Sequence, residues 1–143
     1  MRKINKIIIH CSDSWFGDRD LIDSWHRERG WNGIGYHFVI TNGYPTYKDW
    51  KSQKYRSDID GLIETGRPLD VIGAHCKGHN KDSIGICLIG KRLFSWKQIS
   101  ALQKLIKDLL DTYGHLEVYG HYEFNPYKTC PNIDMKWLRS ILH

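Results

Sequence analysis

The chain has 143 residues, 41% hydrophobic and 26% charged, which fits one domain able to bury a core without disulfides. No apolar run approaches the roughly 18 residues of a membrane span, so no membrane association is expected. The net charge of +5 favours polyanions in general. Because no run of Lys and Arg exceeds two residues, nucleic acid is not an expected partner.

The N-terminus is basic, but only the three isoleucines of residues 7–9 follow before His10. That stretch is too short for the apolar region of a signal peptide, so we expect cytoplasmic synthesis. Without export, the four cysteines are expected to be free thiols or metal ligands rather than disulfides. No linker or repeat interrupts the chain, which predicts a single domain over residues 1–143, and we expect a monomer.

The first elements follow from hydrophobic spacing. Residues 4–10 are rich in β-branched side chains and predict a buried strand. Residues 19–29 repeat apolar side chains at helical spacing, with Asp18 as a cap and Gly30 as a stop. A helix is therefore predicted directly after the first strand.

The middle of the chain predicts a hairpin. Residues 34–41 form a second strand pattern, and Asn42-Gly43 is a strong turn signal. Residues 44–48 are therefore predicted to pair back as a third strand.

Two more strands, a helix and a strand follow. Residues 71–75 and 83–89 have strand patterns, and residues 95–113 form the clearest helix pattern. Ser95 with Gln98 three residues later is a capping box. Residues 116–119 predict a further strand.

The chain ends with a loop and a helix. The loop is predicted at 120–133, and Asp134 is expected to cap the last helix. Strands alternating with helices predict the α/β class, with a central mixed sheet flanked by helices and a functional site at strand ends.

Two histidines lie at or just after the carboxyl ends of predicted strands. His10 ends the first strand, and His121 follows the strand at 116–119, nine positions before Cys130. Imidazole and thiolate together suit zinc, and three protein ligands with one open position are typical of a catalytic site. Taken singly, each residue is better explained as a hydrogen-bonded histidine or an inert buried thiol.

Four segments, taken together, resemble the type 2 N-acetylmuramoyl-L-alanine amidase family, which includes phage lysozyme-type amidases and peptidoglycan recognition proteins. They appear in the family's order and span nearly the whole chain. The segments are residues 7–12 (IIIHCS), 30–40 (GWNGIGYHFVI), 73–86 (GAHCKGHNKDSIGI) and 120–131 (GHYEFNPYKTCP).

The resemblance implies a zinc ion held by His10, His121 and Cys130. It also implies that Tyr36 and Lys128 are catalytic residues beside the metal. The expected reaction is hydrolysis of the amide bond between N-acetylmuramic acid and L-alanine in peptidoglycan. A phage or prophage endolysin is the leading role, and a cytoplasmic enzyme that recycles muropeptides or an exported effector stays open.

The loop within residues 73–86 faces the substrate groove in relatives. The resemblance therefore implies that His75, His79 and Asn80 contact the muropeptide. A rival interpretation is that His75, Cys76 and His79 form a metal site of their own, which would leave the first trio unexplained. Since Tyr36 is expected to face the zinc, its strand neighbour His37 is expected to point away and to be structural.

Two further alternatives stay open at this stage. One is a non-catalytic or regulatory peptidoglycan-binding protein of the same fold. Non-catalytic relatives typically lack the cysteine ligand, which this chain has at position 130, and this favours the enzyme. The other concerns a regulatory protein partner, which some phage-type relatives bind, although nothing in this sequence independently indicates one.

Overall fold

Within residues 2–142, which the computed structural model describes, the chain forms one five-stranded sheet and four α-helices. The strands are β1 (Lys6–Cys11), β2 (Phe38–Asn42), β3 (Asp60–Thr65), β4 (Ser83–Leu88) and β5 (Glu117–Gly120). The helices are α1 (Arg19–Glu28), α2 (Tyr47–Lys51), α3 (Trp96–Tyr113) and α4 (Met135–Ser140). None of these helices is long and apolar enough to cross a membrane.

The order of strands across the sheet is β3-β2-β4-β1-β5. β1 pairs in parallel with β4 and β5, β2 pairs in parallel with β4, and β3 is antiparallel to β2. This arrangement confirms the predicted mixed sheet flanked by helices. The carboxyl ends of the four parallel strands lie at one edge of the sheet, which is where such folds gather functional side chains.

Side-chain caps begin three of the helices at the predicted positions. Asp18 Oδ1 accepts from the Leu21 amide at 2.8 Å and starts α1. Ser95 and Gln98 form the predicted capping box of α3, with bonds of 3.1 and 3.0 Å. Asp134 caps α4. Each cap satisfies amides that the first helical turn leaves unpaired, which stabilises a helix by about 1 kcal/mol.

The predicted hairpin strand at 44–48 is wrong. Gly43 does turn the chain, with φ of +94°, a value that favours glycine. Thr46 Oγ1 then accepts from the Asp49 amide at 3.1 Å and caps α2, so the segment becomes helical. The antiparallel partner of β2 is instead β3, a strand that the sequence analysis missed.

Two other predicted strands are shorter or absent. The prediction at 34–41 is too long at its start, because β2 begins only at Phe38. Residues 71–75 form no strand. Their backbone is held by separate bonds instead of a ladder, such as the one from the Ala74 amide to the Gly35 carbonyl at 3.0 Å.

The two faces of the sheet are packed differently. The face that we call the α3 face is covered by α3 and α4 and carries the main aliphatic core. The opposite face, the α1 face, packs on α1 through a smaller cluster that includes Ile22, Val39 and Cys87. Because strand side chains alternate, His10 lies on the α1 face while its neighbour Ile9 is buried on the α3 face.

Candidate metal centre

Three side chains converge at the carboxyl edge of the sheet. His10 lies near the end of β1, His121 directly follows β5, and Cys130 is in the loop that comes next. One potential ligand atom from each lies within 4.8 Å of the others. Among the residues that the structure describes, this is the only such cluster, so the rival site built from His75, Cys76 and His79 is not formed.

The donor set fits a zinc ion. His10 is 1% exposed, whereas His121 and Cys130 are half-buried at the floor of an open cavity of about 890 Å³. Two imidazoles and one thiol are ligands that zinc accepts together. Three protein donors beside a solvent-accessible cavity leave room for water or substrate, as a catalytic zinc site requires.

The sulfur of Cys130, the potential metal ligand, accepts a hydrogen bond from a backbone amide. The Cys11 amide donates to Cys130 Sγ at 2.9 Å. The hydrogen bond with the Cys11 side chain, together with burial, raises the pKa of Cys130, so the thiol keeps its proton in the metal-free protein. A bound cation would favour the thiolate form of Cys130, and the Cys11 amide would then stabilise that thiolate by its hydrogen bond.

Both imidazoles of the cluster are neutral near pH 7. Burial lowers the pKa of His10 well below its ordinary value, and the neighbouring His75 and His121 act in the same direction. Burial and the charge of Lys128 lower the pKa of His121. A neutral imidazole keeps a lone pair for a metal, so both rings are ready to bind one.

His75 lies behind His10, where it makes two hydrogen bonds through its ring. Its Nδ1 is 2.8 Å from His10 Nε2, and its Nε2 is 3.2 Å from Ser83 Oγ. Ser83 Oγ in turn donates to the carbonyl of His79 at 2.6 Å. The sequence analysis missed Ser83, and no motif or spacing marks it as a partner of His10.

The other predicted substrate contacts occupy different places. Asn80 lines the cavity, and its Oδ1 accepts from the amides of His75 and Cys76, both at 2.9 Å. The His79 ring lies against Phe124, with ring centroids 4.1 Å apart, and is not in the cavity wall. Contact with substrate stays a prediction for His75, His79 and Asn80.

The two predicted catalytic residues, Tyr36 and Lys128, line the same cavity as the trio. The Tyr36 ring lies 5.0 Å from the His10 ring, centroid to centroid. Burial raises the pKa of Tyr36 well above its ordinary value, so its hydroxyl keeps its proton and can donate a hydrogen bond. Lys128 is exposed on the loop that carries Cys130. His37 is outside the cavity, in agreement with its predicted structural place.

A mixed α/β sheet with a His-His-Cys cluster at its carboxyl edge is the arrangement of a candidate metallohydrolase. A family model described as N-acetylmuramoyl-L-alanine amidase matches residues 1–133. The chain belongs to this family, and this membership confirms the resemblance noted in its four sequence segments.

The relatives by sequence include phage endolysins. The chain is 31% identical to an endolysin of Enterobacteria phage K11, covering 97% of this chain and 88% of the relative. It is 34% identical to an endolysin of Escherichia phage T7, covering 91% and 82%. The family and these relatives support N-acetylmuramoyl-L-alanine amidase activity.

Solved structures share the fold. The N-acetylmuramoyl-L-alanine amidase LysC from Clostridium intestinale URNW superposes with a TM-score of 0.81 at 26% identity, covering 99% of this chain and 86% of the other. Drosophila peptidoglycan recognition protein LB superposes with a TM-score of 0.71 at 28% identity, covering 92% and 76%. The fold is therefore common to amidases and to peptidoglycan recognition proteins.

Proposed function

We propose that this protein is a zinc-dependent peptidoglycan hydrolase that cleaves the amide bond between N-acetylmuramic acid and L-alanine, with the role of a phage or prophage endolysin. Its own residues His10, His121 and Cys130 hold the zinc ion. Tyr36 and Lys128 act on the substrate. The proposed partner is peptidoglycan, or a muropeptide cut from it.

The observation that carries the proposal is the position of the trio in its cavity. Three donors suited to zinc lie within 4.8 Å of one another, beside a cavity of about 890 Å³ that both predicted catalytic residues also line. A bound zinc ion would supply Lewis-acid activation of a water molecule and of the scissile carbonyl. The cavity gives a peptide-bearing sugar access to that point.

In this proposal, Lys128 stabilises the negative charge that develops during the reaction. Hydrolysis of an amide places negative charge on the former carbonyl oxygen, which needs a cation or a hydrogen-bond donor. Lys128 is a compact cation, and its exposed position at the cavity lets it reach a substrate. Burial and the charge of Lys128 both lower the pKa of His121, which supports a position of this lysine near the proposed ligands.

Tyr36 is proposed to act together with Lys128 as an uncharged hydrogen-bond donor. Because burial raises its pKa, the phenol stays protonated throughout the neutral range. Its ring packs 5.0 Å from the His10 ring and 5.4 Å from the His26 ring, centroid to centroid, which restrains the position of the ring. From this position the hydroxyl can orient the attacking water or donate to the leaving amine.

The names of relatives support the choice of substrate. One structural relative is a complex of tracheal cytotoxin with the peptidoglycan recognition proteins LCa and LCx, at 26% identity and a TM-score of 0.71. The endolysin relatives support an action on the cell wall. The net charge of +5 suits an anionic wall.

The deciding experiment combines metal analysis with product identification. The purified protein is expected to contain one zinc per chain and to release stem peptides with a free L-alanine amino group from peptidoglycan, as seen by mass spectrometry. Removing zinc with a chelator should abolish release, and adding zinc back should restore it. Tight wall binding without cleavage, in the zinc-loaded protein, would instead favour the non-catalytic binding protein.

A further inference from the structure

Three hydrogen bonds link His10 to His75, His75 to Ser83, and Ser83 to the His79 carbonyl. In each of them only one choice of donor and acceptor is possible. The series of bonds ends at the carbonyl of His79, which can only accept, so the Ser83 hydroxyl must donate its single proton there. Ser83 Oγ must then accept from His75 Nε2, which places the proton of the neutral His75 ring on that nitrogen. His75 Nδ1 is left as an acceptor, and His10 Nε2 must donate to it.

We propose that Ser83 and His75 are positioning residues that lock His10 in the tautomer protonated at Nε2, so that its Nδ1 lone pair is the one presented to the metal. The Ser83 hydroxyl acts through His75, and neither residue needs to touch the substrate. This inference rests on the proposed zinc site, but the tautomer itself is a property of the metal-free chain.

Because these groups are buried, any other choice of donors and acceptors would cost free energy. His10, His75 and Ser83 are 1%, 8% and 0% exposed. Water has little access to replace a missing partner, and an unpaired buried donor or acceptor costs roughly 1–3 kcal/mol. The reverse order would set the Ser83 and His79 oxygens 2.6 Å apart without a shared proton.

Two glycines form the space that the His75 ring occupies. A Cβ atom at Gly85 would lie 2.6 Å from the His75 ring, and one at Gly73 would lie 2.7 Å from it. Gly85 is paired with Ile8 on the neighbouring strand, two residues before His10. The strand register therefore seats His75 beside His10, and an alanine at either glycine would displace the ring.

Metal-ligating histidines commonly donate their second N–H to a carbonyl or carboxylate, which fixes their orientation. In this protein another imidazole takes that place, and an imidazole is itself able to change tautomer. Ser83 is therefore needed to define which nitrogen of His75 accepts. A substitution of Ser83 is therefore expected to weaken zinc binding, although Ser83 reaches the proposed ligand His10 only through His75.

The tautomers can be read directly by long-range 1H–15N NMR of the histidine rings. In both the zinc-loaded and the chelator-treated protein, His10 is expected to carry its proton on Nε2, and so is His75. In Ser83→Ala, the His75 signals are expected to shift toward a mixture of tautomers. Finding the His10 proton on Nδ1 would overturn the proposal.

Zinc affinity, measured by competition with a chelator, gives the second readout. His75→Asn keeps an acceptor near the Nδ1 position and should bind zinc within a few-fold of the wild type. His75→Gln loses that acceptor and should bind roughly 10–100-fold more weakly, and Ser83→Ala about tenfold more weakly. Equal affinity in all three variants would contradict the proposal.

The matched control is Thr41→Val, which removes another buried hydroxyl that bonds to backbone carbonyls, here those of Ile59 and Leu62 at the β3 edge of the same sheet. It should lower stability without changing zinc affinity, which separates positioning from general loosening. If the wild-type protein bound no zinc, the proposed function would fail. The tautomer of His10 in the metal-free chain would still decide the present inference.

Discussion

The two faces of the central sheet use the same strands for different purposes. On the α3 face, Ile7 and Ile9 of β1 join a large aliphatic cluster that is closed by α3 and α4. On the α1 face, the same strand presents His10 to a cavity and to a second buried histidine. One face therefore supplies most of the apolar burial, while the other holds polar groups that must each find a hydrogen-bond partner.

Because the two faces carry different groups, a substitution can be chosen that affects only one of them. A change on the α1 face should alter metal binding or catalysis and leave the aliphatic core intact. A change on the α3 face should alter the free energy of unfolding and leave the metal site unchanged in the folded protein.

The largest expected effect is that of Cys130→Ser, which removes the proposed thiolate ligand. A hydroxyl is a poor zinc ligand, so bound zinc and peptidoglycan cleavage should both be lost, as measured by metal analysis and product release. Cys76→Ser is the matched control, because Cys76 is buried beside the same cavity but is not a proposed ligand. A Cys130→Ser protein that kept one zinc per chain would contradict the assignment.

Lys128→Ala should separate catalysis from metal binding on the same face. Zinc content should be unchanged, while kcat falls by about 10²–10³, the cost of losing one group that stabilises an oxyanion. The assay is the initial rate of peptide release from purified peptidoglycan. Lys136→Ala, an exposed lysine of α4 outside the cavity, should keep the wild-type rate. An unchanged rate in Lys128→Ala would remove this lysine from the mechanism.

Leu102→Ala tests the α3 face. The Leu102 side chain is fully buried, and truncation should lower the free energy of unfolding by about 2–5 kcal/mol in urea titrations. Leu93, which is 89% exposed, provides the control, since Leu93→Ala should change stability by less than about 0.5 kcal/mol. Zinc affinity of folded Leu102→Ala should equal that of the wild type. A large loss of affinity would show that the two faces are coupled.

A further expected effect is a pH dependence of the free energy of unfolding that comes from two buried histidines, His26 and His37. Burial lowers the pKa of His26 and of His37 to about 4, from an ordinary value of 6.5. Both rings accept backbone amides through Nδ1, which a proton would prevent. The unfolded chain therefore binds more protons between pH 6.5 and 4, and stability must fall as pH falls through that window.

Urea unfolding at several pH values, with a chelator present, measures this slope. His37→Asn keeps an acceptor for the Gly85 amide but cannot titrate, so its stability should depend less on pH than that of the wild type. A stability that rises on acidification from pH 6.5 to 4 would contradict the assignment of these rings as buried neutral groups.

Local signals in the sequence predicted some elements well. The Ser95 capping box and the Asp18 and Asp134 caps place three helix starts correctly, because a cap depends on a few adjacent residues. The error at 44–48 arose because two local signals compete there. The turn at Gly43 was recognised, but the Thr46 cap that starts α2 was not.

Long-range contacts were beyond the reach of local patterns. β3 pairs with β2 across the intervening α2, and neither spacing nor composition identifies that pairing. The grouping of His10, His121 and Cys130 was predicted because family segments marked these three residues. The hydrogen bonds from His10 to Ser83 were missed, because they depend on the register of β1 against β4 and on the space above Gly85.

The position of Cys130 has a consequence for how the chain is held together. Its sulfur meets the Cys11 amide across 119 residues of sequence, and His121 lies at the other end of the same loop. A metal ion shared by His10, His121 and Cys130 would act as a reversible cross-link between the first strand and the C-terminal loop. Since only the folded chain assembles this set, the melting temperature should rise with free zinc concentration, and chelation should open the loop to proteases.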